Sequence, residues 1–112
     1  MKLITAIIQP DRLDEVREAL SAVGVTGLTA SIVKGHGAGA ARTEYYRGEA
    51  HEIELRDKVR IEIVVAAERE DAIVDAIVGG ARTGQIGDGK VWVVDISRIV
   101  RVRTGEEGAQ AV

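Results

Sequence analysis

Hydrophobic and polar positions follow two alternating periods along this chain, and the points where the period changes mark its elements. Leu3 to Ile8 is a short apolar, β-branched run that predicts a buried strand, ended by Pro10. Asp11 is placed to cap a helix whose Leu13, Val16, Leu20 and Val23 form one stripe at helical spacing, and Gly24 stops it. Thr29 to Lys34 predicts a second strand. From Val59 to Val65 the period is two, with Val59, Ile61, Ile63 and Val65 on one side and Arg60 and Glu62 on the other. Glu68 to Val78 returns to helical spacing, with Ile73, Ala76 and Ile77 inward. Lys90 to Ile96 predicts a strand, and Ile99 to Arg103 a short basic one. Between Gly35 and Asp57 no period is sustained, which predicts a long loop over about 37–57. A loop of that length inside one small domain is usually functional.

The predicted order is β-α-β, long loop, β-α-β, then a short extra strand. A common offset of 57 positions places Ile8 on Val65, Val16 on Ile73, Ala19 on Ala76 and Leu20 on Ile77. Two such halves predict an α+β fold, a ferredoxin-like βαββαβ sandwich with a long loop after strand 2 and a short C-terminal strand. One sheet face of such a sandwich lacks helices. Because apolar residues occupy most strand positions, that face is expected to be covered by further copies of the chain.

Composition narrows the class. At 112 residues the chain is expected to be a single domain spanning 1–112, with a mobile polar tail over about 105–112. One Trp, two Tyr and no Phe leave the core to Val, Ile, Leu and Ala. No cysteine is present, so neither disulfides nor thiolate metal sites are available, and a reducing, cytoplasmic setting is expected. A formal net charge of -3 speaks against general nucleic-acid binding. An RNA-recognition sheet would also need exposed stacking aromatics, where this chain has Val93 and Ile96.

The densest chemical signal is Arg82-Thr83-Gly84-Gln85-Ile86-Gly87-Asp88-Gly89-Lys90. Glycines let backbone N–H groups approach an anion, and Lys90 adds a cation at the loop's exit. The spacing Gly84-x-x-x-x-Gly89-Lys90 imitates a P-loop, but Val91 stands where a metal-binding hydroxyl is needed, and a strand follows instead of a helix. This pattern suits phosphate binding without hydrolysis; the plain alternative is a Gly-rich turn. In a strand, Arg101 and Arg103 would project from one face about 7 Å apart, and with Lys90 and Arg82 they could surround a di- or triphosphate. The plain alternative is a solvated basic edge. Glu62, on the polar side of its strand, would face a ligand or a neighbouring subunit, and Lys58 at the loop's mouth could meet an anion.

His36 and His51 bracket the loop, but two histidines without a third ligand at a recognisable spacing do not define a metal site. No nucleophile–base spacing can be defended, so catalysis is not expected. The alternative, a slow ATPase or phosphotransferase, would have to draw on Asp88, Glu62 and Lys90.

Taken together, these residues resemble the PII nitrogen-regulatory signalling proteins over nearly the whole chain. Met1-Lys2-Leu3-Ile4-Thr5-Ala6-Ile7-Ile8-x-Pro10 is similar to that family's first strand, and Leu13 to Leu20 to its first helix. Thr83-x-x-x-Gly87-Asp88-Gly89-Lys90-Val91-Trp92 and Arg101-Val102-Arg103-Thr104-Gly105-Glu106 match its C-terminal signature and closing strand. The resemblance implies a homotrimer that binds ATP or ADP between subunits and docks a long T-loop onto a transporter, enzyme or regulator. Association with a membrane would then be peripheral, through a transporter. By position, Arg82, Thr83, Gly87, Asp88, Gly89 and Lys90 would hold the nucleotide, with Arg101 and Arg103 from the neighbouring chain. Ile7, Thr29, Glu62 and Val64 would line adenine and ribose, and Gly37 the base of the loop.

Departures from the family pattern gather in and around the loop. Its modification signature, Tyr-Arg-Gly-Ala-Glu-Tyr, reads Tyr46-Arg47-Gly48-Glu49-Ala50-His51 here, so no nucleotidylation is expected at His51. The glutamine that completes Mg²⁺ coordination for 2-oxoglutarate is Gly39, and a lysine after the first strand is Gln9, while the oxoglutarate-binding lysine is kept as Lys58. Loss of one cation and one metal ligand predicts weakened or absent 2-oxoglutarate sensing, and leaves a role for Mg²⁺ open.

Overall fold

The computed structural model describes residues 1–37, 43–46, 49–52 and 55–112. In chain order these form β1 (Lys2–Ile8), α1 (Leu13–Ala22), β2 (Thr29–Gly35), β3 (Thr43–Tyr46), β4 (Glu49–Glu52), β5 (Arg56–Val65), α2 (Glu70–Ala81) and β6 (Gly89–Asp95). The main sheet is antiparallel, in the order β2-β5-β1-β6, and both helices cover one face. This is the ferredoxin-like arrangement that the two β-α-β halves predict.

Alternation decides which face each strand residue joins. Ile4 pairs with Ile63 and Val93, Ala6 with Ile61 and Val91, and Ile8 with Val59. All of these point toward the helices, and Ile4, Ala6, Ile8, Val59, Ile61 and Ile63 are buried there. Val16 and Leu20 of α1 and Ile73 and Ile77 of α2 complete that core, which is the internal echo of the sequence realised in packing. Each such side chain, fully buried, contributes about 1.5–3 kcal/mol.

The opposite face carries Leu3, Thr5 and Ile7 of β1, Lys58, Arg60, Glu62 and Val64 of β5, and Lys90, Trp92 and Val94 of β6. Trp92 and Val94 remain 42% and 48% exposed, so a large part of this face is apolar and uncovered. Both edge strands, β2 and β6, have a free side. Among the described residues no helix is long and apolar enough to cross a membrane.

The helix ends follow simple chemistry with one correction. Asp11 does not cap α1: Pro10–Arg12 forms a single 3₁₀ turn, α1 starts at Leu13, and no side-chain cap bond is made. Proline favours such a first turn because its fixed φ suits it, and Asp11 then contributes its charge near the helix start. At the other end the Gly24 N–H bonds the Ser21 carbonyl at 3.0 Å and the Val25 N–H the Leu20 carbonyl at 3.0 Å, which closes the helix.

Two further segments differ from expectation. Within the span read as an unpatterned loop, β3 and β4 pair as a hairpin, Thr43 opposite Glu52 and Tyr46 opposite Glu49. Thr and Tyr favour extended backbone even where the sequence shows no apolar period. The expected strand from Ile99 to Arg103 is instead one bridge, Val100 to Glu107, followed by a turn. The segment pairs with neither free sheet edge of its own chain and folds on itself, with the Arg101 N–H on the Glu106 carbonyl at 2.8 Å. The last residues form a 3₁₀ turn at Gly108–Ala111.

α1 and α2 touch through a glycine. A Cβ on Gly80 would lie 2.8 Å from the Val16 Cα and 3.0 Å from the Glu15 carbonyl oxygen, both backbone atoms that cannot step aside. The Arg12 guanidinium bonds the Gly80 carbonyl at 2.8 and 3.0 Å and ties the turn before α1 to the end of α2. The neighbouring Gly79 faces open space. Adjacent substitutions should therefore act in opposite directions. Gly80→Ala is expected to destabilise by about 1–3 kcal/mol through forced separation of the helices. Gly79→Ala is expected to stabilise by up to about 1 kcal/mol through helix propensity. Urea unfolding midpoints of the two variants would check this; equal shifts of the same sign would refute the close-contact explanation.

Candidate functional site

The site is built from the same alternation that sorts the sheet. Ile7 stands opposite Arg60 and Lys90, and Thr5 opposite Glu62 and Trp92. Lys58, two positions before Arg60, shares this face. Thus Ile7, Lys58, Lys90 and Trp92 converge on one end of the uncovered face. There they line a cleft of about 430 Å³ together with Gly35, His36 and Gly37 from the end of β2 and with the glycine loop.

That loop is held in place by three contacts. The strictest is at Gly89, which adopts φ 110° and lies against β1: a Cβ would fall 1.8 Å from the Ile7 carbonyl oxygen. No other residue type fits there. Second, the Asp88 carboxylate gathers the loop's start. It accepts from the Thr83 hydroxyl, from the Thr83 N–H at 2.8 Å and from the Gly84 N–H at 2.9 Å. Bonds from the Thr83 hydroxyl first, then from these backbone donors, hold the Asp88 carboxyl below the usual carboxylate range against the opposing effect of desolvation. Third, the Gln9 side-chain amide donates to the Gly87 carbonyl at 2.7 Å, and the Lys58 ammonium reaches the same oxygen at 3.5 Å.

The cleft's charged lining is Lys58, Lys90 and Asp88, with His36 beside them. Asp88 accepts from the loop's own donors, and the donors that the lining can offer a ligand include the lysines, His36 and glycine backbone. That chemistry suits an anion with several oxygens. Among the described residues no group of three or more His, Asp or Glu side chains is placed to hold a metal ion.

The residues singled out in the sequence fall into three sets. Ile7, Gly37, Lys58, Gly87, Asp88, Gly89 and Lys90 meet in the cleft. Glu62, Val64 and Thr29 share its sheet face without lining it; Glu62 is paired with Arg60 at 2.9 Å. Thr83 sits at the loop's start on Asp88, and Arg82 borders a separate hollow of about 300 Å³ on the helix side of the loop.

Arg101 and Arg103 require a correction. They are not strand residues projecting from one face: the turn after Val100 breaks the alternation, Arg101 pairs with Glu106 at 3.5 Å, and neither arginine lines the cleft of its own chain. Gly39 and the side chain of His51 lie outside the described residues. Sequence reasoning missed Trp92 and His36 as cleft residues and Gln9 as a loop clamp. Trp92 was readable from its two-residue spacing to Lys90; nothing local signals the Gln9 contact, which spans 78 positions.

These features define a ferredoxin-like domain whose uncovered sheet face ends in a lysine-lined glycine cleft. Comparison with known proteins narrows that class to one family. The family model described as Nitrogen regulatory protein P-II matches residues 1–106. Nitrogen regulatory protein P-II of Rhizobium etli and of Klebsiella oxytoca, and Nitrogen regulatory protein P-II 1 of Escherichia coli K12, are each 51% identical over 112 residues, covering 100% of both chains. The crystal structure of Arabidopsis thaliana PII bound to citrate superposes with a TM-score of 0.81 at 37% identity, covering 99% of this chain and 91% of that one. The chain belongs to the PII family and is a nitrogen-regulatory signalling protein.

The Asp88 contacts generate a pH prediction. A carboxyl whose folded value is depressed supports the loop at all pH above its ordinary value of about 4 and loses that support as pH falls through the depressed value. The Thr83 and Gly84 amide resonances should therefore hold their positions down through pH 4 and move only below it. A midpoint at or above 4 would show that the bonds do not persist in solution, and Asp88→Ala should abolish the transition.

Proposed function

We propose that this protein is a non-catalytic adenine-nucleotide sensor that binds ATP or ADP in the glycine cleft and regulates a partner through its long loop, from the cytoplasm. The observation that carries the reading is the convergence of Lys58, Lys90 and the glycine loop on one cleft of about 430 Å³. That volume lies within the range of small-ligand sites. The loop's backbone and Lys90 would receive the phosphates, with Arg82 and Thr83 behind them. Ile7, Glu62, Val64 and Thr29 would line the base and sugar, and Gly37 the exit toward the long loop.

The reading includes a homotrimer, which the exposed apolar surface supports. The exposed Trp92 and Val94, the free edges of β2 and β6, and Ile32 at 65% exposure would all be covered by neighbouring copies. A neighbour would also supply Arg101 and Arg103, which do not reach the cleft of their own chain.

Effector inputs would be altered. With Gln9 bonded to the Gly87 carbonyl in place of a second cation, and Gly39 unable to complete a metal site, 2-oxoglutarate sensing is weakened or absent. With His51 at the modification position, nucleotidylation is lost. The citrate in Arabidopsis PII is a polycarboxylate of the kind that Lys58 and Lys90 would attract in this chain too.

The single tryptophan lines the cleft, so its fluorescence reads occupancy directly. ATP is expected to change Trp92 emission saturably, and Lys90→Ala to weaken binding about tenfold or more, the worth of one charge-assisted phosphate contact. No emission change and no heat in calorimetry at millimolar ATP would overturn the reading. With ATP and Mg²⁺ present, 2-oxoglutarate should give no micromolar binding; micromolar uptake would overturn the loss of sensing alone.

A further inference from the structure

His36 lies two residues beyond Ser-Ile-Val-Lys of β2, where the strand pair ends at Gly35 opposite Arg56. It is exposed, and it borders the same cleft as Lys58 and Lys90. Among the described residues, the charged groups that line this space are Lys58 from β5, Lys90 from β6 and Asp88 from the glycine loop; Arg56 stands opposite Gly35 on β5, and Arg60, opposite Ile7, is paired with Glu62.

We propose that His36 is a proton-dependent anion ligand of the cleft: protonated, it is a third cation beside Lys58 and Lys90 and tightens the hold on a nucleoside polyphosphate. Three observations carry this. The imidazole lines the cleft rather than the core. The one carboxylate in the lining, Asp88, directs both oxygens to Thr83 and Gly84 donors of the glycine loop. Gln9, which is uncharged, occupies the Gly87 carbonyl, so the cleft's own side-chain cations are otherwise two lysines. Histidine is the side-chain type whose ordinary charge change falls near neutral pH. The inference rests on the reading of the cleft as a nucleotide site.

The sign follows from linkage. A bound polyphosphate favours the imidazolium, so affinity is greatest on the acid side and falls as pH rises through the imidazole's titration. For an exposed charge pair the expected change is about threefold to fivefold between pH 6 and pH 8.

The test is an ATP titration of the full chain, without Mg²⁺, read by Trp92 fluorescence at pH 6, 7 and 8, in the wild type, His36→Gln and His36→Arg. ATP's own protonation is common to all three proteins and cancels in the comparison. The wild type should show the extra threefold to fivefold gain at pH 6. His36→Gln should lack that gain, and His36→Arg should hold the tighter affinity throughout. In the unmutated protein, saturating ATP should raise the NMR titration midpoint of the His36 imidazole. Parallel pH curves for the three proteins, or an unmoved His36 midpoint, with ATP still bound, would overturn this inference and leave the nucleotide site standing. Failure of every variant to bind ATP at any pH would overturn both.

Discussion

The contact on which the rest of this structure depends is the approach of Gly89 to the Ile7 carbonyl, so close that no side chain could stand between them. It lets β6 begin against the end of β1, and the strand register propagates from there. Lys90 falls beside Ile7 and Trp92 beside Thr5 on the uncovered face, while Val91 and Val93 fall on the core face. A slip of one residue would exchange the two sets, burying a lysine and a tryptophan under the helices. The glycine loop is therefore more than a flexible connection. Its exit residue sets which side chains the sheet shows to a ligand, and its interior is then held by Asp88 and by Gln9.

A second close approach does the same for the helix layer. Gly80 lets α2 settle on Val16, and Arg12 clamps the Gly80 carbonyl from the turn preceding α1. α2 ends one residue later, at Ala81, and the glycine loop starts from there. Helix packing thus positions the near end of the loop, as strand pairing positions the far end. The cleft lies where both constraints meet, which anchors Ile7, Lys58, Lys90 and Trp92 in strands.

Much of this was legible in the sequence because it follows from periodicity. Val16, Leu20, Ile73 and Ile77 announce two helices on one core, and Val59 to Val65 announces a two-sided strand. The ferredoxin-like order follows from their succession. Lys90, Gly87 and Gly89 announce a phosphate-suited loop by residue type alone. What the sequence hid depends on contacts between distant positions. Gln9 reads as a missing charge until its amide is found on the Gly87 carbonyl. Ile99 to Arg103 reads as a strand because its alternation is sound, yet alternation describes only a capacity to pair, and within the chain the segment makes a single bridge, Val100 to Glu107. The β3–β4 hairpin was missed for the converse reason: its residues have extended preferences but show no apolar period in the sequence.

The same geometry explains how occupancy of the cleft would reach the long loop under the proposed reading. β2 and β5 pair as far as Gly35 and Arg56, and the next residues of β2's strand, His36 and Gly37, are at once cleft wall and loop base. A ligand that draws on them acts on the first residues beyond the last strand pair, where the backbone has no ladder left to hold it. Tight binding alone would not move the loop, since a ligand shifts a conformational equilibrium only by its difference in affinity for the two states. His36 and Gly37 are the positions where such a difference would arise, because Lys58, Lys90 and Gly89 are anchored in strands. Sensing would thus reside in the two residues at the loop's root, and affinity in the sheet.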